Sequence, residues 1–320
     1  MTTLTPDTPV FVAGHRGLIG SAFARRLRAA GFEQILTVPR AELDLRERPA
    51  VEAWLQEAKP GLLVLCAGRV GGILENRDHP ADMIAENLAI ELSVLPAAQK
   101  LGVPRVIFFG SSCMYPRECP QPMPESALLS GVPEPTSLPY ALAKLAGLEM
   151  CRALNAQYGS TRFYSVIPNN AYGPGDDFDP ESGHVLAALI QRIHAAKTSG
   201  AEHIDVWGSG RPRREFIHAD DIADACCFLL EHCEDPAHYP INIGVGGDVS
   251  IGELAERIAK VIGFAGQLRF DASRPDGAPR KLLDSSRLAN LGWRHAVSLE
   301  DGIRETYAWY LSQRTEETTG

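Results

Sequence analysis

The chain has 320 residues, of which 45% are hydrophobic and 22% charged, which is the composition of a folded globular protein and excludes a disordered one. Its 31 Lys and Arg against 40 Asp and Glu give a formal net charge of −9, which disfavours an extended nucleic-acid-binding surface. The longest apolar strand-like run, Leu62 to Ala67, is too short to span a membrane, and the N-terminus lacks the pattern of a secretory signal, so we expect no membrane partner.

Short apolar runs alternate with longer helical patterns in the first half of the chain. The predicted strands are Val10–Ala13, Gln34–Thr37, Leu62–Cys66 and Arg105–Phe109, and the predicted helices are Leu18–Ala30, Pro49–Ala58 and Pro80–Leu101. Pro96 lies inside the third helical pattern and predicts a kink or a break there. This alternation predicts an α/β fold with a doubly wound parallel sheet.

The second half of the chain is less regular. After a Pro-rich loop, Glu118–Pro139, we predict a helix at Tyr140–Tyr158, a strand at Arg162–Ile167 and a loop at Pro168–Gly183, then helices at His184–Ser199, Asp220–Glu231, Ser250–Ile262 and Ser298–Gln313 and strands at Ile204–Val206 and Ile241–Ile243. The mixture indicates a smaller domain that follows the parallel sheet.

A glycine-rich turn lies between the first predicted strand and the first predicted helix. It consists of Gly14, His15, Arg16, Gly17, Leu18, Ile19 and Gly20. Glycines let the backbone approach a pyrophosphate, whose charge is favoured at a helix N-terminus. The GxxGxxG spacing alone could be an ordinary tight turn, but its place in a βα unit favours a dinucleotide cofactor.

Arginines mark the place where such a fold distinguishes its nicotinamide cofactors. Arg40 follows the second strand, where an acidic residue would bind the 2′-hydroxyl of NAD, and no Asp or Glu precedes Glu42 there. Arg16 lies in the glycine turn. Two guanidinium groups suit a 2′-phosphate, so we predict NADPH/NADP+, although both could be ordinary surface arginines.

Tyr140 and Lys144 are four residues apart on one helical face. The nearby ammonium should lower the tyrosine pKa from about 10 toward neutrality, so that the phenol exchanges protons with a substrate carbonyl. The segment Gly110-Ser111-Ser112-Cys113 follows the fourth strand, at the sheet edge where α/β proteins bind ligands.

These motifs together resemble the extended short-chain dehydrogenases/reductases that act on nucleotide sugars and, more narrowly, the GDP-L-fucose synthase family. The matching segments are GHRGLIG, RVGGI, SSCMYP, YALAK, PNNAYGPGDDFDP, GHV, VWGSGRPRREFIHADD and DASRPDGAPRKLLD. The resemblance extends from Val10 to about Tyr310. It implies an enzyme that converts GDP-4-keto-6-deoxy-D-mannose to GDP-L-fucose.

The resemblance also implies roles for individual residues. Ser111, Tyr140 and Lys144 would form the reductase triad, and Cys113 and His184 would exchange the protons at C3 and C5 of the sugar. The resemblance implies that the glycine turn, Arg40, Ser111, Lys144 and His184 bind the cofactor. It implies the same for Phe109, Gly110, Ser112, Pro168, Asn169, Asn170 and Ala171. The residues implied to bind the GDP-sugar are Asn170, Arg192, Trp207, Arg214, Asp276 and Lys281.

The family further implies a domain plan and an assembly. Residues 1–170, with part of 215–245 returning to them, would form a Rossmann-type NADP(H)-binding domain, and residues 171–320 mainly a substrate-binding domain. The predicted helices Pro80–Leu101 and Tyr140–Tyr158 would form a homodimer interface.

Seven cysteines without a CxxC pair indicate neither disulfides nor a zinc site, so we expect no metal and a reducing, cytoplasmic setting.

Other functions stay open at this point. A 4,6-dehydratase is disfavoured because Ser112-Cys113 stand where an Asp-Glu pair would be expected, and the arginines at 16 and 40 disfavour an NAD-dependent 4-epimerase. A nucleotide-sugar 4-reductase without epimerisation and a non-catalytic NADP(H) sensor remain alternatives. Outside these motifs, a cysteine is more often a small buried hydrophobe than a catalytic group.

Overall fold

A computed structural model describes residues 4–180, 183–233, 239–274 and 276–319. Numbered in chain order, the helices are α1 Leu18–Ala29, α2 Arg48–Ala58, α3 Ile73–Asp78, α4 Pro80–Lys100, α5 Leu138–Tyr158, α6 Val185–Ser199, α7 Ala219–His232, α8 Ile251–Ile262, α9 Ser286–Asn290 and α10 Leu299–Thr319. In the described part of the chain, none of them is both long and apolar enough to cross a membrane.

The strands form one large sheet and three small ones. They are β1 Val10–Ala13, β2 Ile35–Leu36, β3 Leu62–Leu65, β4 Arg105–Phe109, β5 Phe163–Pro168, β6 Asn170–Tyr172, β7 His203–Trp207, β8 Arg213–Arg214, β9 Phe216–His218, β10 Ile241–Ile243, β11 Val249–Ser250, β12 Gln267–Asp271 and β13 Arg280–Lys281. The large sheet is parallel, in the order β10-β5-β4-β3-β1-β2. This order confirms the predicted doubly wound, Rossmann-type α/β fold.

Strand side chains alternate between two hydrophobic cores, one on each face of the large sheet. Val10 and Val12 of β1 enter the core beneath α1 and α7, whereas Phe11 and Ala13 enter the core beneath α2, α4 and α5. Both faces are therefore buried, which explains why the central strands are continuous apolar runs rather than alternating ones.

The second half of the chain builds a smaller lobe against one end of the sheet. Helices α6, α8 and α10 enclose a third core, which includes Ile190, Ile258 and Ile303. Three small sheets flank it, in the orders β11-β8-β13, β12-β7 and β6-β9. Strand β10 returns to the edge of the large sheet, beside β5. The division of domains near residue 170 stays a prediction.

Most predicted elements of the first half are confirmed, with ends that differ by one residue at most. The break considered at Pro96 is wrong, because α4 continues through this residue to Lys100. Val94, Leu95, Ala97 and Ala98 are buried on both sides of the proline, so packing outweighs the loss of one helical hydrogen bond.

The segment predicted as a loop at Pro168–Gly183 contains a strand. Residues Asn170–Tyr172 form β6, which pairs in parallel with β9. The prediction missed this strand because its partner lies far along the chain, and residues 181–182 of the segment lie outside the described residues.

One buried carboxylate, Glu215, joins the large sheet to the smaller lobe. Its Oε2 accepts hydrogen bonds from Asn169 Nδ2 at 2.6 Å and from the Leu283 amide at 3.1 Å. Its Oε1 accepts from the amides of Val245 at 2.7 Å and Gly246 at 2.8 Å. The carboxylate therefore connects the segments that follow β5, β10 and β13.

Replacing this carboxylate with an amide should destabilise the fold. In Glu215→Gln, whichever way the amide turns, its NH2 group faces two hydrogen-bond donors, so we expect a loss of about 2–4 kcal/mol of unfolding free energy. Urea denaturation measures it, and Glu256→Gln on the exposed face of α8 is the matched control. Equal stability of the two variants would contradict this account of the junction.

Candidate active site

The parallel topology brings three predicted motifs to the same edge of the sheet. The glycine turn follows β1, residues 110–113 follow β4, and residues 168–171 lie at the end of β5 and the start of β6. The carboxyl ends of parallel strands share an edge, so these motifs border one cleft. Phe109, Gly110, Ser112, Pro168 and Asn169 are buried there, and Ala171 is half-buried.

The glycine turn has the geometry of a phosphate-binding site. Gly14 has a φ of +88°, and a Cβ there would lie 2.7 Å from the Ala67 amide nitrogen, so only glycine fits. A Cβ on Gly20 would lie 2.2 Å from the Gly14 carbonyl oxygen, which explains the close packing of α1 on the turn. Gly17 is the N-cap of α1 and offers no side-chain cap, so the first amides of the helix can bind a phosphate. The turn therefore fits the pyrophosphate of a dinucleotide.

The two predicted phosphate-binding arginines have different surroundings. Arg16 is exposed in the glycine turn. The Arg40 guanidinium lies 3.8 Å from Asp44 and 3.6 Å from Glu86, and two-thirds of its side chain is exposed. Weak ion pairs at the surface leave a long side chain free to turn toward a ligand. A role for both in binding a 2′-phosphate stays a prediction.

Ser111 and Tyr140 face each other across the cleft. Ser111 caps a short 3₁₀ turn, Ser112–Met114, by accepting a hydrogen bond from the Cys113 amide at 3.2 Å. Burial raises the pKa of Tyr140 above its usual value, and the charges of Cys113 and Glu91 add to this, whereas a hydrogen bond with Ser111 opposes it. The predicted fall of this pKa toward neutrality is therefore wrong for this structure.

Lys144 is buried one turn beyond Tyr140 on α5, as the spacing predicted. Its Nζ lies 3.3 Å from Glu91 Oε1 and 5.0 Å from the centre of the Phe108 ring. The Glu91 carboxylate offsets the ammonium, which gives a physical reason why the phenol is not driven toward ionisation.

Cys113 is next to a lysine from the other end of the chain. Lys281 Nζ lies 3.6 Å from Cys113 Sγ. Burial raises the pKa of this thiol, but the Lys281 charge and hydrogen bonds with Ser111, Ser137 and Lys281 outweigh burial and hold the pKa below its usual value. The site therefore makes Cys113 more acidic than an ordinary thiol and increases the share of thiolate, the form that acts as a base.

The pKa of His184 is shifted in the opposite direction from that of Cys113. It caps the start of α6 with its side chain about half exposed, and its Nδ1 lies 3.4 Å from Oδ1 of the buried Asp176. This hydrogen bond is the main reason that the His184 pKa is raised, while burial opposes it and the charges of Asp176, Cys113 and Asp177 add to it. The share of imidazolium, the form that donates a proton, is therefore larger than for an ordinary histidine.

Trp207, the aromatic residue of the predicted substrate site, is 38% exposed. The Arg192 guanidinium lies 4.3 Å from its ring centre and that of Arg274 lies 5.1 Å away. Cations over an aromatic face are attracted to its π electrons, so the three side chains form one platform. The structure confirms neither Arg192 nor Trp207 as a substrate ligand; it places them together.

The remaining predicted substrate residues are held in place by hydrogen bonds to neighbouring segments. Arg214 is held by the carbonyl oxygens of Arg213 and Ala278, and burial lowers its pKa. Asp276 accepts two hydrogen bonds from Ser209, at 2.8 Å and 2.7 Å, which hold the loop after Trp207. Asn170 Nδ2 donates to Asn169 Oδ1 and to the Glu215 carbonyl.

Sequence reasoning missed three features of this site. Asp176 and Glu91 were assigned no role, and Lys281 was expected to bind substrate rather than to contact Cys113. The lysine and glutamate are distant in sequence from their partners, so no spacing could reveal them. Asp176 precedes His184 by eight residues in an Asp-rich loop, and that short separation was the one available signal. Among the described residues, no group of three or more potential ligands could hold a metal ion.

Almost the whole chain is similar to known proteins. Residues 10–244 match the NAD dependent epimerase/dehydratase family. The chain is 51% identical to GDP-L-fucose synthase 1 of Arabidopsis thaliana over 302 residues, 94% of this chain and 93% of the relative. It is 46% identical to GDP-L-fucose synthase of Escherichia coli K12 over 312 residues, 95% and 97% of the two chains.

A solved structure shares the fold as well. GDP-L-fucose synthetase of Naegleria fowleri bound to NADP superposes with a TM-score of 0.90 at 28% identity and covers 98% of this chain and 96% of its own. Strand order and lobe arrangement are therefore those of a protein that binds NADP.

Removing the Lys281 charge should make Cys113 less acidic. In Lys281→Met the thiolate loses its nearest cation, so the thiol pKa rises, and alkylation by iodoacetamide at pH 7 slows about tenfold for each unit of that rise. Mass spectrometry of the Cys113 peptide gives the rate at each pH, and Lys260→Met on α8 is the control. An alkylation midpoint that is the same in Lys281→Met and wild type would show that Lys281 does not set the thiol pKa.

Proposed function

We propose that this chain, which belongs to the NAD dependent epimerase/dehydratase family and within it to the GDP-L-fucose synthases, converts GDP-4-keto-6-deoxy-D-mannose to GDP-L-fucose with NADPH. The reaction epimerises C3 and C5 and then reduces the C4 ketone. The observation that carries it is the pair Cys113 and His184, biased toward thiolate and imidazolium beside Ser111 and Tyr140. The family resemblance predicted from the motifs is confirmed.

Epimerisation needs a base and an acid on opposite faces of the sugar. Hydrogens on C3 and C5 are acidic because the C4 ketone can take up the electron pair as an enolate. The Cys113 thiolate removes such a proton, hydrogen bonds from Ser111 and Tyr140 stabilise the enolate oxygen, and the His184 imidazolium returns a proton to the other face. Each inversion leaves a thiol and a neutral imidazole, which exchange protons with solvent before the next one.

Reduction takes place at the C4 ketone, whose oxygen is the one stabilised during epimerisation. NADPH, when bound, supplies the hydride that C4 accepts. Tyr140 donates its phenolic proton to the C4 oxygen, and Ser111 holds this oxygen by a hydrogen bond. The raised pKa of Tyr140 suits this task, because the neutral phenol is the proton donor. Lys144 binds the cofactor ribose and orients Tyr140.

In this proposal the residues along the sheet edge would hold the cofactor. The amides at the start of α1, with Gly14, Gly17 and Gly20, hold the pyrophosphate, and Arg16 and Arg40 bind the 2′-phosphate. The buried and half-buried segments Phe109–Ser112 and Pro168–Ala171 would line the nicotinamide end, with His184 at its border.

The GDP portion lies in the smaller lobe. Arg192 and Arg214 bind the diphosphate, Trp207 packs on the guanine, and Asp276 fixes the loop that carries Ser209. Lys281 lies between the diphosphate and Cys113, and Asn170 contacts the sugar. A protein with a net charge of −9 needs such local cations to hold a dianionic ligand.

The alternatives fit the site less well. A 4-reductase without epimerisation needs Ser111, Tyr140 and Lys144 but has no use for a thiol and an imidazole of opposite bias. A sensor that only binds NADP(H) has no use for a proton donor. The active thiol also suits a reducing compartment such as the cytoplasm.

We further propose a homodimer formed by α4 and α5. These two long helices pack side by side, and Leu92 and Leu142 on them are among the exposed large apolar side chains. Each of the two helices thus carries an exposed large apolar side chain, and exposed apolar surface is typical of a protein interface.

Deuterium incorporation tests the proposed reaction directly. With GDP-4-keto-6-deoxy-D-mannose and NADPH in D2O, we expect loss of NADPH absorbance and a product that carries deuterium at both C3 and C5 but not at C4, by NMR. NADPH oxidation without deuterium at C3 or C5 would make the protein a simple reductase. NADPH binding with no turnover would favour the sensor.

Two variants separate the steps within this experiment. Tyr140→Phe removes the proton donor, so NADPH oxidation should fall by about 10²–10⁴-fold while NADPH binding is kept. Cys113→Ser should lose deuterium incorporation before it loses reduction of an already epimerised substrate. Normal turnover in either variant would remove the role assigned to that residue.

Charges on the apolar face should separate the proposed dimer. Wild type should sediment at twice the chain mass of 34.7 kDa, and Leu92→Glu/Leu142→Glu should sediment as a monomer. Leu311→Glu, an exposed leucine on α10, is the control and should leave the dimer intact. A wild-type monomer would contradict the proposal.

A further inference from the structure

A buried ion pair lies behind the reducing triad. Glu91 on α4 is 2% exposed and Lys144 on α5 is 5% exposed, and the two charged groups are 3.3 Å apart. Two charges removed from water cost several kcal/mol each, and well-packed hydrophobic side chains are often as stable there. A pair of this kind is therefore weak evidence for stability and directs attention to what the charges do.

The helix packing makes room for this carboxylate. Gly147 lies opposite Glu91, and a Cβ on it would be 2.6 Å from Glu91 Oε2 and 2.5 Å from Phe108 Cζ. Among the described residues, Oε2 has no hydrogen-bond partner, and Lys144 is the cation paired with Oε1. The Glu91 carboxylate is thus directed at the Lys144 ammonium alone.

Tyr140 lies one helical turn from Lys144 on α5, and the Glu91 charge acts on its phenol. An uncompensated ammonium one helical turn away would favour the phenolate, and a carboxylate beside that ammonium opposes the effect. In this structure the charge of Glu91 is among the influences that raise the Tyr140 pKa, after burial and the charge of Cys113. The hydrogen bond from Ser111 acts in the other direction.

We propose that Glu91 is a positioning residue of the reduction, a buried carboxylate that holds the Lys144 ammonium in place and offsets its charge so that Tyr140 reaches the substrate as a neutral phenol. The inference rests on the proposed function, because neutrality matters only where Tyr140 gives up a proton. In that step the phenolic O–H bond breaks, the proton passes to the C4 oxygen as C4 accepts the hydride, and the phenolate regains a proton from water.

The other titratable groups nearby do not compete for this role. Cys66, after β3, and Cys151, on α5, face the ion pair, and burial raises the pKa of both thiols, that of Cys151 to about 12. Both remain neutral over the working pH range. Cys113 faces Tyr140 from the loop after β4, and its charge adds to that of Glu91.

The isosteric variant Glu91→Gln tests the proposal. It leaves the Lys144 charge uncompensated, so the phenol ionises more readily and the proton donor is lost at lower pH. We expect the high-pH limb of kcat for NADPH oxidation to move to lower pH by about one unit, a factor of ten in the ionisation constant. Glu91→Asp, which keeps the charge, should restore the limb toward wild type. Glu149→Gln, on the exposed face of α5, is the matched control.

A second readout does not depend on turnover. Phenolate absorbance near 295 nm, taken as the difference between each protein and its Tyr140→Phe counterpart, should show Tyr140 titrating at lower pH in Glu91→Gln without any ligand. If Glu91→Gln does not fold, Glu91→Gln/Lys144→Gln removes both charges, and its phenol should titrate about where wild type does. A shift of more than a unit in that double variant would overturn the proposal.

Glu91→Gln could leave the high-pH limb of kcat and the phenolate titration unchanged and lower only the melting temperature. That result would show that the ion pair is structural and would overturn the proposal. Wild-type protein that reduces the substrate normally would still support the proposed function in that case. Failure of wild type to oxidise NADPH would instead overturn the proposed function, while the titration would still report whether Glu91 acts on Tyr140.

Discussion

The site depends on one buried carboxylate, Glu215, that fixes the smaller lobe against the carboxyl edge of the large sheet. Four hydrogen bonds reach it from the segments after β5, β10 and β13. The Glu215 backbone adds two hydrogen bonds: its amide donates to the Lys281 carbonyl at 3.2 Å, and its carbonyl accepts from Asn170. Residues that are far apart in the chain are thereby held at fixed positions around Cys113.

Local sequence patterns were sufficient for the scaffold. The strands at Val10–Ala13 and Arg105–Phe109 are short apolar runs between turn residues, and tertiary packing confirmed them because both faces of the sheet are covered. The glycine turn was predictable for a similar reason: Gly14 and Gly20 leave space that any Cβ would fill, so residue type and conformation are tied together.

Long-range electrostatics was not predictable from the same patterns. Lys281 and Cys113 are separated by 168 residues, and Glu91 and Lys144 by 53, so only the folded chain brings their charges together. The fall expected for the Tyr140 pKa rested on a local pair, Tyr140 and Lys144, and it was wrong because burial raises this pKa and because the charges of Cys113 and Glu91 add to the rise. Of the kink or break predicted at Pro96, the break is wrong for a similar reason, since α4 packs on α2 and α5 and stays continuous.

Three titratable groups share this small site, and the chemistry needs each in a different protonation state. A base must be anionic, an acid for the ring carbon must be cationic, and an acid for the ketone oxygen must be neutral. The fold meets this by giving each group its own counter-charge: Lys281 for Cys113, Asp176 for His184, and Glu91, through Lys144, for Tyr140. Each of these charges comes from a different segment of the chain, and the groups also act on one another, because the Cys113 charge raises the pKa of both His184 and Tyr140. In the proposed mechanism two reactions on one sugar can therefore proceed at one pH, with the thiol and imidazole acting at carbon and the phenol at oxygen.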